Sequence, residues 1–487
     1  MESKKIDISE ELVNRSPDVE KLKYCYECST CTASCPSAWI FTRRYNPKIL
    51  LQKISLGLED VLNEVGLWMC TRCYRCYQKC PQGLDLPEIF LATKDFAIEG
   101  NYLPNAEGTL KEALKLVKEE ISLAAIYGWL CLRPSEEESA RKIEKLATRA
   151  LKSFVVDYTK EKISPVSEIR GEKIAIIGSG PAGLSAAYKL IKMGYPVTVF
   201  ESLPEAGGML RVGIPEYRLP KSVLDIEIQR MKKIGIEIKT DTKIGRDLMV
   251  DNLFQEGYKA IFIAIGAHKS TELHIEGENL EGVVDALDLL KEFNTGKKVS
   301  LGERVVIIGG GNVAVDVART ALRLGSKDIN IFYRRSKVEM PANPSGVKEA
   351  EREGIKFHFL IAPKKILGED GRVVALESVR MRLGELDETG RRRPIPMEGS
   401  EFTVQLDTII LAIGESPDLF SMPKEIEVAK DNTIKANPLT LETSMPGVFA
   451  GGDVVSGPAT VMGAIAAGIK VASSIDSYLR REISANT

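Results

Sequence analysis

A chain of 487 residues is too long for one hydrophobic core, and domains of about 100 to 200 residues predict three or so modules. Its 66 lysines and arginines against 68 acidic residues leave a formal net charge of −2, which gives no electrostatic attraction to nucleic acid or to an anionic membrane. The opening MESKKIDISE lacks the apolar stretch of a signal peptide, and the longest greasy run, ISLAAIYGWLCL, is shorter than the roughly 20 residues that cross a bilayer, so a cytoplasmic protein without a membrane span is expected.

Eight of the nine cysteines fall in two runs, CYECSTCTASCP at residues 25–36 and CTRCYRCYQKCP at residues 70–81, and none follows Cys131. Thiolates are soft ligands, and C-x2-C-x2-C-x3-C-P is the bacterial ferredoxin spacing, in which three cysteines hold one iron-sulfur cube and the fourth reaches the other. Two 4Fe-4S clusters are therefore expected, one on Cys25, Cys28, Cys31 and Cys80, the other on Cys70, Cys73, Cys76 and Cys35. The competing reading is a pair of structural zinc sites in a non-enzymatic scaffold. It needs only paired C-x2-C knuckles and leaves the third cysteine and the proline of each run without a purpose. Between the runs, NPKILLQKISLGLEDVLNEVGLWM has apolar residues at helical spacing, punctuated by Gly57 and Gly66, so a helical insert is expected.

With NPKILLQKISLG followed by LWMCTRCYRCYQKCP, residues 15 to 95 resemble the C subunit of heterodisulfide reductase. In that family two clusters pass electrons between subunits, which implies partner subunits of a redox complex, a ferredoxin among the candidates. Trp39, Trp68, Tyr74 and Tyr77 are read either as shields for the clusters or as ordinary core.

Residues 101 to about 165 carry EGTLKEALKLVKEE and EEESARKIEKLATRALKSF, two amphipathic patterns that predict a helical connector with a solvated charged face. Cys131, alone in an apolar stretch, is expected to be a buried small residue rather than a reactive thiol.

From residue 173 the pattern becomes strand, glycine turn, helix, strand: KIAIIGSGPAGLSAAYKLIKMGYPVTVFE. Gly178 permits the tight turn, Gly180 lets backbone approach a pyrophosphate at the start of the helix with Pro181 and Ala182, and Gly183 lets helix pack on strand. Glu201 stands where an acid accepts ribose hydroxyls. A second copy, RVVIIGGGNVAVDVARTALRLGSKDINIFYRR, places Gly309, Gly310, Gly311, Asn312 and Val313 in its turn and helix start, with Ala314 in the third glycine position. Its second strand ends in Tyr333, Arg334 and Arg335 instead of an acid, and guanidinium suits a 2′-phosphate, so the second nucleotide is expected to be NADP(H) held by Arg334 and Arg335. AIFIAIGA, ending at Gly266, and TIILAIGESPD look like buried strands where the chain crosses between the two units. GVFAGGDVVSGPATVMGAIAAG then supplies a strand, a turn with Gly452 and Asp453, and a helix of small residues.

GSGPAG, GGMLRVGIPEYRLPK, IGGGNVAVDVARTALRLG, FYRRS with EMPA, and FAGGDV together resemble the small subunit of NADPH-dependent glutamate synthase over residues 171 to 480. The resemblance implies FAD in the first unit and the C-terminal segment, with Asp453 beside the ribityl-phosphate and Gly207, Gly208, Met209 and Leu210 along the flavin, and NADPH in an inserted unit. The cysteine-rich front differs from that family and leaves the cofactor set intact.

The expected architecture is thus multidomain: an α-helical dicluster ferredoxin domain at 1–100 and a helical connector at 101–170, then two α/β Rossmann-like dinucleotide-binding domains, the second inserted in the first. These are FAD-binding at 171–296 and 413–487 and NAD(P)-binding at 297–412. Hydride transfer between bound cofactors needs no assigned acid or base, and His268, His274 and His358 are expected to be structural or exposed. The expected function is an NAD(P)H-dependent flavin and iron-sulfur oxidoreductase subunit converting two-electron into one-electron transfer. A flavin-based bifurcating subunit of a transhydrogenase, hydrogenase or heterodisulfide reductase-type complex would use the same cofactors. The absence of any cysteine beyond Cys131 argues against a thioredoxin reductase-like thiol mechanism, and glutamate synthesis by this chain alone is not expected without a glutaminase or FMN-barrel domain.

Overall fold

The computed structural model describes residues 8–100, 102, 106–121, 123–132, 142–160, 170–387, 390–419 and 422–486. The chain divides into two compact units, one of Met1–Gly208, Arg218–Gly266 and Leu419–Thr487, the other of Met209–Tyr217 and Ala267–Asp418.

The first unit opens with short helices around the cysteines. Helix Pro47–Ser55 begins as its sequence directs: Asn46 accepts hydrogen bonds from the N–H groups of Lys48 and Ile49, proline takes the first helical position, and Leu50, Leu51 and Ile54 turn inward. The rest of the expected helical insert is two 3-10 turns, Glu59–Asn63 and Val65–Met69. Helix Leu86–Glu99, capped by Asp85, buries nearly its whole length. Trp68 and Tyr74 are buried here while Trp39 is exposed, so only the first two are core.

Helices Ala106–Glu120, Ala124–Leu132 and Lys142–Lys160 follow. They are more than a connector. Ala124, Ala125 and Ile126 are fully buried, the Tyr127 hydroxyl donates to the Met69 carbonyl at 2.6 Å, and Glu227 accepts from the Ala125 N–H at 2.8 Å and the Tyr158 hydroxyl at 2.9 Å. The side chain of Cys131 lies outside the described residues.

Five parallel strands complete this unit in the order Val448–Ala450, Tyr258–Ile263, Lys173–Ile177, Val197–Phe200, Glu237–Lys239. The inner strands and Val448–Ala450 are short apolar runs, as a sheet covered on both faces requires, while the edge strand Glu237–Lys239 exposes its two charged ends. Helix Pro181–Lys192 and the last helix, Val461–Asn486, lie against each other; a Cβ on Gly468 would stand 2.2 Å from the Ala182 carbonyl oxygen, so only glycine allows this approach.

The second unit repeats the plan with Val283–Asp285, Thr408–Leu411, Arg304–Ile308, Asp328–Tyr333 and Lys356–Phe359, again parallel. It adds an antiparallel meander of Ile361–Glu369, Arg372–Leu386 and Arg392–Pro396, with Phe402–Gln405 on Arg372–Leu386. Val283–Asp285 is an edge strand of this sheet, and the second compact unit takes in Ala267–Asp418 with Met209–Tyr217, where the sequence pattern marks 297–412. A three-residue edge strand carries too short a pattern to be seen in sequence.

Candidate cofactor sites

The two cysteine runs are folded across one another. Cys25, Cys28, Cys31 and Cys80 line one cavity, with Tyr26, Lys48 and Gln52 at its walls. Cys28 is exposed and its sulfur lies 3.1 Å from the Thr30 hydroxyl; Cys25 accepts from the Glu27 N–H at 3.4 Å. The other four form an inner set. Cys35, Cys70 and Cys76 are buried; burial pushes the Cys35 thiol up to about 12, and Cys70 and Cys73 bear on it electrostatically. Cys76 is likewise raised by burial, then by Cys70, Cys73 and Cys35. Tyr45 is 4 % exposed, and burial first, then the charges of Cys70, Cys35 and Cys76, hold its hydroxyl pKa well above the usual value, a closeness to the inner set that no spacing in the sequence announces. Among the described residues no group of three or more His, Cys, Asp and Glu side chains closes tightly enough for a single metal ion. Four soft sulfur donors in each set suit iron-sulfur ligation.

The first dinucleotide cradle is built at the carboxyl end of strand Lys173–Ile177. Gly178, at φ +104°, turns its back on the Ala264 carbonyl, 2.5 Å from where a Cβ would sit. A Cβ on Gly183 would stand 2.0 Å from the Gly178 oxygen, while around Gly180 there is open space at the amino end of the helix. That open face is where the backbone N–H groups and the helix dipole can hold a pyrophosphate. Glu201 is 5 % exposed and already oriented: one carboxylate oxygen accepts from the Ser179 N–H at 3.0 Å and from its hydroxyl, the other from the Leu203 N–H at 2.9 Å. Ser179 also accepts from the Gly207 N–H at 2.9 Å, bringing Gly207 and Gly208 beside Gly180. Its place inside the GSG turn could have suggested this.

Asp453 follows Gly452 at the end of strand Val448–Ala450; burial pushes its carboxyl up to about 6, and its Oδ1 is buried without a partner. A buried orphan acceptor beside a glycine turn fits a ligand hydroxyl group. Met209 and Leu210 open helix Met209–Val212, which belongs to the second unit, and Gly266 closes the first-unit segment.

In the second unit Gly309, at φ +147°, backs onto the Ala412 carbonyl as Gly178 does onto Ala264. Gly310 lies under the Tyr333 ring, and Gly311 faces open space. Asn312 accepts from the Asn343 N–H at 2.8 Å and Val313 is partly buried. The two arginines part ways. Arg335 is 6 % exposed, donating to Asp387 at 2.7 Å and to the Arg392 carbonyl at 2.8 Å. It is therefore occupied within the protein, a correction to its expected role as a phosphate ligand alongside Arg334; the meander that supplies Asp387 was not foreseen. Arg334 is exposed as a residue, and partial burial of its head group with the Arg335 and Arg391 charges beside it lowers its pKa.

Two parallel sheets, each ending its first strand in a glycine turn at a helix N-terminus, define the class of two-domain dinucleotide-binding reductases, here preceded by a cysteine-rich module. The chain belongs to the pyridine nucleotide-disulphide oxidoreductase family, which it matches over residues 172–468, and residues 21–84 match the 4Fe-4S dicluster domain. It is 43 % identical over 436 residues, 83 % of its length, to the NADP(+)-dependent formate dehydrogenase subunit beta of Moorella thermoacetica, covering 60 % of that protein. It is 37 % identical to the NADPH-Fe(3+) oxidoreductase subunit beta of Geobacter sulfurreducens, covering 83 % of this chain and 63 % of that one. The chain thus spans somewhat less than two thirds of these relatives. The glutamate synthase [NADPH] small chain of Azospirillum brasilense is 32 % identical over 85 % of this chain and 89 % of its own, so the resemblance read from the motifs holds. Among solved structures, Mycobacterium tuberculosis FprA in complex with NADPH superposes with a TM-score of 0.56 at 20 % identity, covering 65 % of this chain and 86 % of that one, which shows the shared fold. No described helix is long and apolar enough to cross a membrane.

Proposed function

We propose that this chain is an electron-transfer subunit that exchanges a hydride with NADP(H) at the second unit and single electrons with a partner protein at the cysteine module, through FAD and two 4Fe-4S clusters. The observation that carries the reading is the crossing of the cysteine runs within the same compact unit as the Gly178–Gly180–Asp453 cradle. FAD, when bound, accepts two electrons together and releases them singly, which is the conversion the other groups require. Gly180 and the helix behind it would hold the pyrophosphate, Glu201 the ribose diol, and Asp453 a ribityl hydroxyl group. Arg334 would hold the 2′-phosphate. The first cysteine set, with exposed Cys28 and Tyr26, is the one that reaches the surface where a partner meets it. The relatives named as beta subunits of an NADP(+)-dependent formate dehydrogenase and an NADPH-Fe(3+) oxidoreductase support both ends of this path.

The test is anaerobic purification with iron, sulfide and flavin analysis, followed by stopped-flow reduction with NADPH and NADH. About eight irons per chain, one FAD and faster reduction by NADPH are expected. Zinc in place of iron, or a preference for NADH, would reject the assignment.

A further inference from the structure

The two cysteine loops share one backbone. Glu27 and Ser29 in the first, and Arg72 and Tyr74 in the second, all have positive φ, at 53°, 61°, 49° and 59°. Each pair lies two residues after the first cysteine of its run and one after the second. Left-handed non-glycine residues are uncommon, so a pair recurring at the same offsets marks a turn fixed by what it encloses. Two residues after the second cysteine of each run stand Thr30, after Cys28, and Arg75, after Cys73. The side chains at this matched position differ in charge. Thr30 offers a neutral hydroxyl, Arg75 a fixed cation.

Arg75 reaches toward Trp39 and the last helix. Its guanidinium stands 5.6 Å from the Trp39 ring centre, and its Nη1 is 3.5 Å from where a Cβ on Gly463 would lie, in the first turn of helix Val461–Asn486. With Trp39, Gly452 and Gly463 it lines a cavity of about 790 Å³ inside the first unit. Among the described residues no carboxylate is paired with it. A cation with no carboxylate paired to it among the described residues, set in the chain between Cys73 and Cys76 and lining the same cavity as Gly452, has its charge available to whatever the inner cysteines hold.

We infer that Arg75 is the positioning residue of electron transfer at the inner cluster, its charge stabilising the reduced form on the side facing the Gly452 turn. The inference rests on the two-cluster reading above. Reduction adds one electron and one negative charge to the cluster, with no bond broken and no proton needed, and a nearby fixed cation favours the more negative form.

The experiment is a potentiometric titration with dithionite, followed by electron paramagnetic resonance, on the full chain as wild type, Arg75→Gln and Arg75→Lys. Cys80→Ala identifies the outer signal by removing it. Arg75→Gln should lower the inner cluster's reduced-to-oxidised ratio at fixed potential by roughly tenfold, the effect of one charge at medium range in a protein, while the outer midpoint stays in place and Arg75→Lys restores most of the shift. If Arg75→Gln does not load the inner cluster, the lysine variant decides: normal loading with a near-wild-type midpoint supports the role of charge, and loss in both variants overturns it. Unmoved midpoints with both signals present would reject the role of Arg75 alone, whereas a wild type without two iron-sulfur signals would bring down the cluster reading and this inference with it.

Discussion

Adjacent Arg334 and Arg335 offer a clean separation of binding from stability. Arg334 follows strand Asp328–Tyr333 and is exposed, with the Arg335 and Arg391 charges beside it. A charge-assisted hydrogen bond contributes about 1.5 to 3 kcal/mol, so Arg334→Ala should weaken NADPH binding by roughly ten- to a hundredfold and leave NADH nearly unchanged. Arg335 is different: its partner Asp387 is only 19 % exposed. Arg335→Ala strands that carboxylate, and since Asp387 keeps the Arg391 N–H at 3.1 Å, the cost should fall below the roughly 3 to 5 kcal/mol of a fully buried pair, at about 2 to 3 kcal/mol. This should appear as a drop of roughly 5 to 10 °C in the unfolding of the second unit. Stopped-flow flavin reduction by each nucleotide, beside calorimetry, reads both. The reasoning fails if Arg334→Ala loses both nucleotides equally, or if Arg335→Ala loses NADPH selectively with no change in melting.

Cys80→Ala should remove the cluster of Cys25, Cys28 and Cys31 and spare that of Cys70, Cys73 and Cys76, halving the iron; loss of the second signal instead would mean each run serves itself. Gly183→Ala forces a Cβ against the Gly178 oxygen at 2.0 Å and should cost about 1 to 3 kcal/mol or more while abolishing flavin retention; a variant purified with full FAD would contradict this. Burial raises the Glu227 carboxyl from 4.5 to about 7. The folded chain then keeps a proton that the unfolded chain has released between those values, so this stabilisation is present below pH 4.5 and lost as pH rises to 7, by about 3 kcal/mol. Glu227→Gln retains an acceptor for Ala125 and Tyr158 and should flatten the pH dependence of unfolding measured in urea. An unchanged slope would show that Glu227 does not carry that titration.

Much of this protein is written locally. The cysteine spacing and the two glycine turns are short-range patterns tied to one backbone conformation each, so Gly178, Gly309 and the eight thiols can be named without a structure, and with them the FAD, NADP and iron-sulfur class. What the sequence could not determine depends on partners distant along the chain. The Val283–Asp285 strand has identity only through pairing with Thr408–Leu411. Arg335 reads as a ligand until Asp387, 52 residues later, is folded against it. Tyr45 meets Cys70, and Arg75 meets Gly463, across separations that no periodicity spans. Backbone turns follow from the residues within them, whereas the occupation of a charge follows from which surfaces pack together, and packing is decided by the whole core at once.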